Sequence, residues 1–182
     1  MLSCTGQHPV PGTPAAAENV AVADRLSNQR VNAFAEDADG HIWIGTFRGL
    51  NKYTIHDYHQ YFCPDDTLGL PDNQITALRR SADGRLWIGT ANGAALRTED
   101  GGFLRIPIEG GGPGVNEIAE TRDGQILFNC SAQLFRYDAA SGRIVPAIRD
   151  YGGYNTLVGA DGRIWTATTC PPPLCLTETP SP

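Results

Sequence analysis

The chain has 182 residues, of which 41% are hydrophobic and 19% charged, and its formal net charge is −6. This length suits one ordinary domain, and the composition excludes an intrinsically disordered chain. The negative charge, without any run of Lys or Arg, argues against nucleic acid as a partner, because phosphate binding needs a basic surface. No apolar stretch of about 18 residues is present, so we expect no membrane span in this chain.

Residues 1–23 are predicted to be a disordered spacer or the remnant of a signal. The stretch after Cys4 is small, polar and rich in Pro, which is typical of unfolded linkers. MLSC is similar to the end of a bacterial lipoprotein signal, and lipidation at Cys4 is one interpretation. Neither a basic start nor an apolar segment precedes it, so an arbitrary start is the preferred interpretation.

A first set of strand signals covers residues 31–62. Alternation over 31–37 puts Val31, Ala33 and Ala35 on one face of a strand. Asp39-Gly40 then predicts a hairpin turn, because Gly accepts a positive φ. HIWIGT at 41–46 reads as the second strand, and 50–55 and 58–62 as the third and fourth.

The same pattern recurs about every 40 residues, which is the signature of a repeat architecture. The copies begin VNAFAEDADGHIWIGT at 31, ITALRRSADGRLWIGT at 75, VNEIAETRDGQILFNC at 115 and YNTLVGADGRIWTATT at 154. In copy two the later strands are predicted at 94–99 and 103–108, and in copy three at 134–138 and 143–148. Four antiparallel strands per repeat predict an all-β protein built from β-propeller blades.

The recurring residues are predicted to have structural roles. The indole is a large apolar plate suited to the gap between blades, Gly permits close backbone approach, and Thr ties the next turn. The turn glycines supply the positive φ. These structural residues are Trp43, Gly45, Thr46, Trp87, Gly89, Thr90, Leu127, Trp165, Gly40, Gly84, Gly124 and Gly162.

The repeats predict about three and a half blades, an incomplete propeller over residues 24–169. Complete blades span about 31–62, 75–108 and 115–148, and 154–169 forms a partial fourth. Three consecutive prolines then predict that the tail at 170–182 cannot continue a sheet. Because propellers usually close with four to eight blades, we expect a piece of a longer protein, with a small four-bladed ring as the alternative.

Five cysteines argue against a complete disulfide framework. Cys130, in an apolar run, is expected to be a small buried core residue. Cys170 and Cys175 flank the Pro-rich loop, and the sequence leaves open whether they form a local disulfide. No metal and no cofactor are expected, since no metal-ligand spacing or phosphate-binding loop is present.

The segments LSNQRVNAFAEDADGHIWIGTFRGLNKY and GLPDNQITALRRSADGRLWIGTANG resemble two-component regulator propeller repeats. The resemblance weakens in copy three, where LFNC replaces WIGT, and in copy four, where TAT follows Trp165. It implies the periplasmic sensor part of a hybrid histidine kinase, located in the periplasm or on the outer face of a membrane. It also implies oligosaccharide signals and kinase and DNA-binding regions outside this chain.

Loops at one end of the blades are the expected ligand site, since rigid scaffolds present recognition residues on loops. The linkers 63–74 and 109–114 and the turns 47–49 and 91–93 should share that face. Amide and guanidinium groups there suit sugar hydroxyls, which need both donors and acceptors. The candidates are Arg30, Arg48, Asp72, Asn73, Gln74, Asn92 and Asn116.

Two other functional classes compete with a sensor. Propellers also host enzymes, for example lyases or hydrolases, but no catalytic residues are expected here because the recurring acids are explained by turns. A protein-interaction or structural repeat is the second alternative. Open blade edges would then contact remaining blades or a second copy of the chain.

Overall fold

The computed structural model describes residues 20–63, 69–110, 114–131, 133–148, 153–168 and 174–176. The elements in these ranges are sixteen β-strands in four antiparallel sheets, which confirms the all-β prediction. Within the same ranges, no helix has the length and apolar character that crossing a membrane requires. Cys4 and Cys170, with the disulfide and lipidation questions attached to them, lie outside the described residues.

Sheet 1 has five strands, and sheet 2 has four. Sheet 1 consists of β1 (Val20–Ala23), β2 (Val31–Glu36), β3 (Ile42–Thr46), β4 (Gly49–Tyr53) and β5 (Tyr58–Tyr61). Sheet 2 consists of β6 (Ile75–Arg80), β7 (Leu86–Thr90), β8 (Gly93–Arg97) and β9 (Phe103–Ile106). Consecutive strands pair in each sheet, except that β1 pairs with β5 at the outer edge of sheet 1.

Sheet 3 repeats the four-strand pattern, and sheet 4 is described as three strands. Sheet 3 consists of β10 (Val115–Glu120), β11 (Ile126–Cys130), β12 (Gln133–Asp138) and β13 (Arg143–Ile148). Sheet 4 consists of β14 (Gly153–Val158), β15 (Ile164–Thr168) and β16 (Leu174–Leu176). Sheets 2, 3 and 4 each run in simple up-and-down order along the chain.

Two predictions about the ends of the chain are wrong. Residues 20–23 were predicted within a disordered spacer, but they form β1, because the alternating VAVA segment matches the free edge of β5. The Pro-rich tail was predicted to add no strand, but Leu174–Leu176 pairs with β15. This strand starts after the three prolines, so the missing proline N–H groups remove no hydrogen bond from it.

The Asp-Gly pairs form the predicted hairpins with a common geometry. Gly40, Gly84, Gly124 and Gly162 have φ of 82°, 89°, 84° and 84°, respectively. Each glycine donates its N–H to the carbonyl oxygen three residues earlier, as Gly40 does to Asp37 at 3.2 Å. This is a three-residue hairpin loop whose last residue is left-handed, and only glycine adopts that conformation without strain.

The sheets stack face to face in chain order, and the core lies between them. We call the face of a sheet that meets the next sheet its front face and the opposite face its rear face. The front of sheet 1 buries Trp43 and Leu50 against Ile88 from the rear of sheet 2. The front of sheet 2 buries Trp87 against Phe128 of sheet 3. A smaller cluster joins sheets 3 and 4: Ala119, Leu127, Leu134 and Ile164.

Cys130 belongs to the core between sheets 2 and 3, where it is fully buried. Burial raises the pKa of its thiol to about 12. The side chain therefore serves as a small apolar group at this position.

Candidate ligand-binding groove at the inner strands

We call β2, β6, β10 and β14 the first strands, because each is the first strand of a repeat. They lie beside one another, with β2 next to β6, β6 next to β10 and β10 next to β14. An open groove of about 370 Å³ runs across them. It is lined by Asn32, Ala33, Phe34, Thr76, Ala77, Leu78, Arg79, Asn116, Glu117, Ile118 and Asn155. The groove therefore combines amide, hydroxyl and charged groups with apolar ones.

Every first strand has a β-bulge near its start, and in the first three sheets the bulge supplies a polar side chain to the groove. The pairing register shifts between Val31 and Ala33, and at the matching places in β6, β10 and β14. The extra residues in the first three sheets are Asn32, Thr76 and Asn116. A bulge reorients the inserted side chain, which explains a polar residue near the start of otherwise core-forming strands.

Two of these bulge side chains connect neighbouring sheets. Asn32 Nδ2 donates a hydrogen bond to the Ile75 carbonyl oxygen at 2.8 Å. In the next repeat, Thr76 Oγ1 donates to the Val115 carbonyl oxygen. Asn116, the third member of the series, is exposed at the groove. Its amide is therefore accessible to a ligand, whereas Asn32 and Thr76 are partly committed to structure.

The carboxylates beside the groove are held by backbone groups of neighbouring sheets. Glu117 accepts a hydrogen bond from the Thr156 N–H. Glu120 accepts from the Ala82 N–H at 2.9 and 3.0 Å, and its carboxylate lies 3.8 Å from Arg79 Nη2. The groove thus carries compensating charges on ordered side chains.

The loop residues predicted from the sequence lie at the end of the strands where the groove residues begin. The Arg30 carbonyl accepts from the Phe47 N–H at 2.9 Å, and its guanidinium lies 4.9 Å from the Phe47 ring centre. Arg48 and Asn92 are exposed in the turns after β3 and β7. The Arg48 and Asn92 N–H groups donate to Thr46 and Thr90 Oγ1, so their backbones are fixed and their side chains face solvent.

Three other candidates hold the linker between sheets 1 and 2. Asp72 Oδ1 accepts from the Gln74 N–H, and Asn73 Oδ1 accepts from the Cys63 N–H, each at 2.7 Å. The Asn73 carbonyl accepts from the Gly49 N–H at 2.7 Å, and the Gln74 carbonyl from the Ala91 N–H at 3.0 Å. The linker and the two turns therefore share one face of the molecule.

Of the predicted candidates, only Asn116 lines the groove. Asn32, Thr76, Glu117 and Asn155 also line it and were missed by the sequence analysis. The available signal was the polar second residue of β2, β6 and β10, namely Asn32, Thr76 and Asn116. Its significance depends on a bulge, which alternation of polar and apolar residues does not predict.

One cluster in the described residues has ligand types that metals use. Side-chain atoms of Asp37, Asp39 and His41 lie within 4.8 Å of one another. Asp37 Oδ2 accepts the indole N–H of Trp43 at 2.8 Å, and Oδ1 accepts the N–H groups of Asp39 and His41 at 3.0 and 2.9 Å. The buried Asp37 carboxylate therefore has a structural role, because its hydrogen bonds fix the hairpin turn and the Trp43 indole.

The pKa of Asp37 reflects that role. Burial acts to raise it, but hydrogen bonds from Trp43 and His41 outweigh burial and hold the pKa below its ordinary value of 3.8. In sheet 2 the same position is Ser81, whose Oγ accepts from Trp87 Nε1 at 3.1 Å. The repeat therefore pairs each buried indole with a polar acceptor six residues earlier.

Comparisons with known proteins agree with this architecture. The sequence model of the two component regulator propeller family matches residues 25–48 and 69–92, which confirms the resemblance in the first two repeats. Each match covers the lead-in segment, the first two strands and the following turn. A comparison with curated proteins finds no match.

Solved structures with the same fold include the extracellular domains of two hybrid two component systems and a lyase. The extracellular domain of a protein described as a hybrid two component system from B. thetaiotaomicron is 21% identical with a TM-score of 0.65, covering 78% of this chain and 20% of that chain. A second such domain from this organism is 18% identical with a TM-score of 0.68, covering 79% and 22%. Virginiamycin B lyase from Staphylococcus aureus is 20% identical with a TM-score of 0.61, covering 81% and 52%.

The chain spans about a fifth of the length of these two extracellular domains. These likenesses establish the fold, and the family match establishes the repeat type. The molecule is accordingly a propeller-fold chain of stacked antiparallel sheets that carries two-component regulator propeller repeats in residues 25–48 and 69–92.

Proposed function

We propose that this chain is the extracytoplasmic, ligand-sensing propeller module of a two-component sensor, and that its ligand is an oligosaccharide. Its repeat family and its fold likeness to extracellular domains of two-component systems support the sensor assignment. In this role the chain binds the ligand, and kinase activity belongs to other regions of the sensor.

The observation that carries the ligand proposal is the polar groove across the first strands. Sugar hydroxyls need donors and acceptors at fixed positions, and Asn32, Asn116 and Asn155 provide amide groups in the groove lining. The exposed Phe34 ring adds an apolar surface for the carbon-bound hydrogens of a sugar ring. Aromatic surface combined with a few polar groups is the usual composition of a small-ligand site.

The composition of the groove favours binding over lyase or hydrolase chemistry. Among the residues that the structure describes, those lining the groove include no histidine or cysteine. Its acid Glu117 accepts a hydrogen bond from the Thr156 N–H of the neighbouring sheet, so its carboxylate has a structural role. Acid–base catalysis needs a proton-transferring group that is available to the substrate.

The test is an oligosaccharide screen on a glycan array, followed by calorimetry on every sugar that binds. Asn116→Ala should weaken the affinity about 2- to 10-fold, the usual effect of losing one or two hydrogen bonds. Arg122→Ala, an exposed change in the turn at the opposite end of sheet 3, is the matched control and should leave the affinity unchanged. Absence of binding to any oligosaccharide would overturn the ligand proposal.

A further inference from the structure

The front face of sheet 4 presents an exposed apolar pair, Trp165 and Leu157. Trp165 occupies the repeat position of Trp43 and Trp87, which are fully buried, but it is 40% exposed. Leu157 lies directly opposite Trp165 in the β14–β15 pairing and is 67% exposed. In the described part of the chain, no sheet packs in front of these two side chains.

The rear face of each following sheet receives the indole in a consistent way. Trp43 meets Phe103 edge-on at 6.3 Å, and the Arg97 guanidinium lies 4.5 Å from its ring centre. Arg97 and Phe103 are cross-strand partners in β8 and β9. One repeat later, Trp87 meets Tyr137 at 4.8 Å, and Tyr137 holds the β12 position that corresponds to Arg97 in β8.

The rear face of sheet 1 has the same acceptor arrangement without an indole. Tyr53 and Tyr58 are cross-strand partners in β4 and β5, at the positions of Arg97 and Phe103. Their rings lie 5.1 Å apart, and Tyr53 is 39% exposed. A groove of about 520 Å³ beside Tyr53 is also lined by Ile42 and Ile55. Phe34, on the first strand of the same face, is 64% exposed.

We propose that two copies of this chain associate head to tail, with the front face of sheet 4 of one copy on the rear face of sheet 1 of the other. Trp165 then packs beside Tyr53 and Tyr58, as Trp43 packs on sheet 2. The contact continues the sheet-to-sheet packing that the chain already uses between sheets 1 and 2, 2 and 3, and 3 and 4.

We infer a second copy as the partner because one chain carries both faces, and each repeats the pattern of an interface inside the stack. A head-to-tail contact either closes into a ring or extends into a filament. The four described sheets of two copies together make eight, within the usual range of four to eight for a closed ring. This association is argued from Trp165, Tyr53 and Tyr58 and needs no bound ligand, and Phe34 borders both the groove and the rear face of sheet 1.

The test is the oligomeric state of the full chain, measured by analytical ultracentrifugation over a range of concentrations. The wild-type protein should show a concentration-dependent species of twice the monomer mass. Trp165→Asp and Tyr53→Asp should each be monomeric. The closed dimer has two equivalent contacts between Trp165 of one copy and Tyr53 of the other, and each substitution disrupts both. Leu104→Asp, an exposed change on β9 away from both end faces, should keep the dimer.

An equimolar mixture of Trp165→Asp and Tyr53→Asp separates this arrangement from a symmetric one. The mixture should form a dimer again, because the intact front face of one variant meets the intact rear face of the other. Circular dichroism of each variant checks that it is folded. A wild-type protein that is monomeric at every concentration, a dimer that survives Trp165→Asp, or a mixture that stays monomeric would overturn the proposal.

Discussion

At the scale of single residues, the indole and the polar group six residues before it form a unit. Trp43 donates to Asp37 and Trp87 donates to Ser81, and both indoles are fully buried. A buried indole N–H without an acceptor would cost about 1–3 kcal/mol, so the acceptor is as much a part of the repeat as the ring. Gly159 stands at this position in sheet 4, where the exposed Trp165 can use water instead.

Asp37 should make the stability of the protein depend on pH in the acid range. Because its pKa is lowered in the folded state, its contribution is present above its ordinary value of 3.8 and is lost as the pH falls through the folded pKa. Asp37→Asn should cost about 1.5–3 kcal/mol at pH 7 and flatten the dependence. Urea unfolding between pH 3 and 7 measures both effects.

Trp43→Phe tests the same bond from the donor side. It keeps the carboxylate but removes the indole N–H that lowers the Asp37 pKa, so the pH dependence should weaken in the same direction. If the Asp37→Asn protein and the wild type lose stability in parallel as the pH falls, the assigned role of Asp37 is wrong.

At the scale of strands, the glycine after each Trp-Ile pair makes room for the next sheet. A Cβ on Gly45 would lie 2.6 Å from Ile75 Cγ2, and one on Gly89 would lie 2.7 Å from Val115 Cγ1. In sheet 3 the residue that corresponds to Gly45 is Asn129. In sheet 4 the residue that corresponds to Ile75 is Gly153, the first residue of β14. In sheets 1 and 2 the glycine is on the earlier sheet and the large residue on the later one, and in sheets 3 and 4 this order is reversed.

Gly45→Ala should destabilise the protein by about 1–3 kcal/mol, the usual cost of overpacking. Ile75→Ala should cost about 2–5 kcal/mol by leaving a cavity. In the double variant the new methyl group occupies space that Ile75 vacated, so the cost should be less than the sum. Urea unfolding of the four proteins measures this coupling, and strictly additive costs would show that the two residues do not share this contact.

The sequence could predict the repeat, the strands and the turn glycines because these depend on neighbours within a few residues. Gly45 was expected to lie near another backbone, but its neighbour is the Ile75 side chain, 30 positions further along the chain. Of the groove, only Asn116 was predicted, because a bulge and an adjacent sheet bring the other lining residues there.

At the scale of the whole molecule, position in the stack determines what a repeat residue contributes. Sheets 2 and 3 are packed on both faces, whereas the described sheets 1 and 4 each have one face without a neighbouring sheet. In stacked repeat proteins, stability is approximately a sum over units and their interfaces. Equivalent residues in interior and terminal sheets should therefore differ in their effect on folding.

Trp43→Ala and Trp165→Ala form a matched pair for this expectation. Trp43→Ala should cost about 3–5 kcal/mol, as for other buried aromatics. Trp165→Ala should cost less than half as much in dilute solution, because the Trp165 ring is already 40% exposed. Chemical unfolding at low protein concentration gives both values, and equal losses would mean that Trp165 is buried in the folded monomer.

By itself, the sequence determined the all-β class, the repeat, the Asp-Gly hairpins and the family resemblance, because local turn chemistry and alternation carry that information. Only the tertiary structure decided that β1 and β16 join sheets, that bulge residues line a groove, and that Trp165 is exposed while its counterparts are buried. These outcomes depend on a partner strand or sheet remote along the chain, and the residue's own neighbours do not specify whether that partner is present.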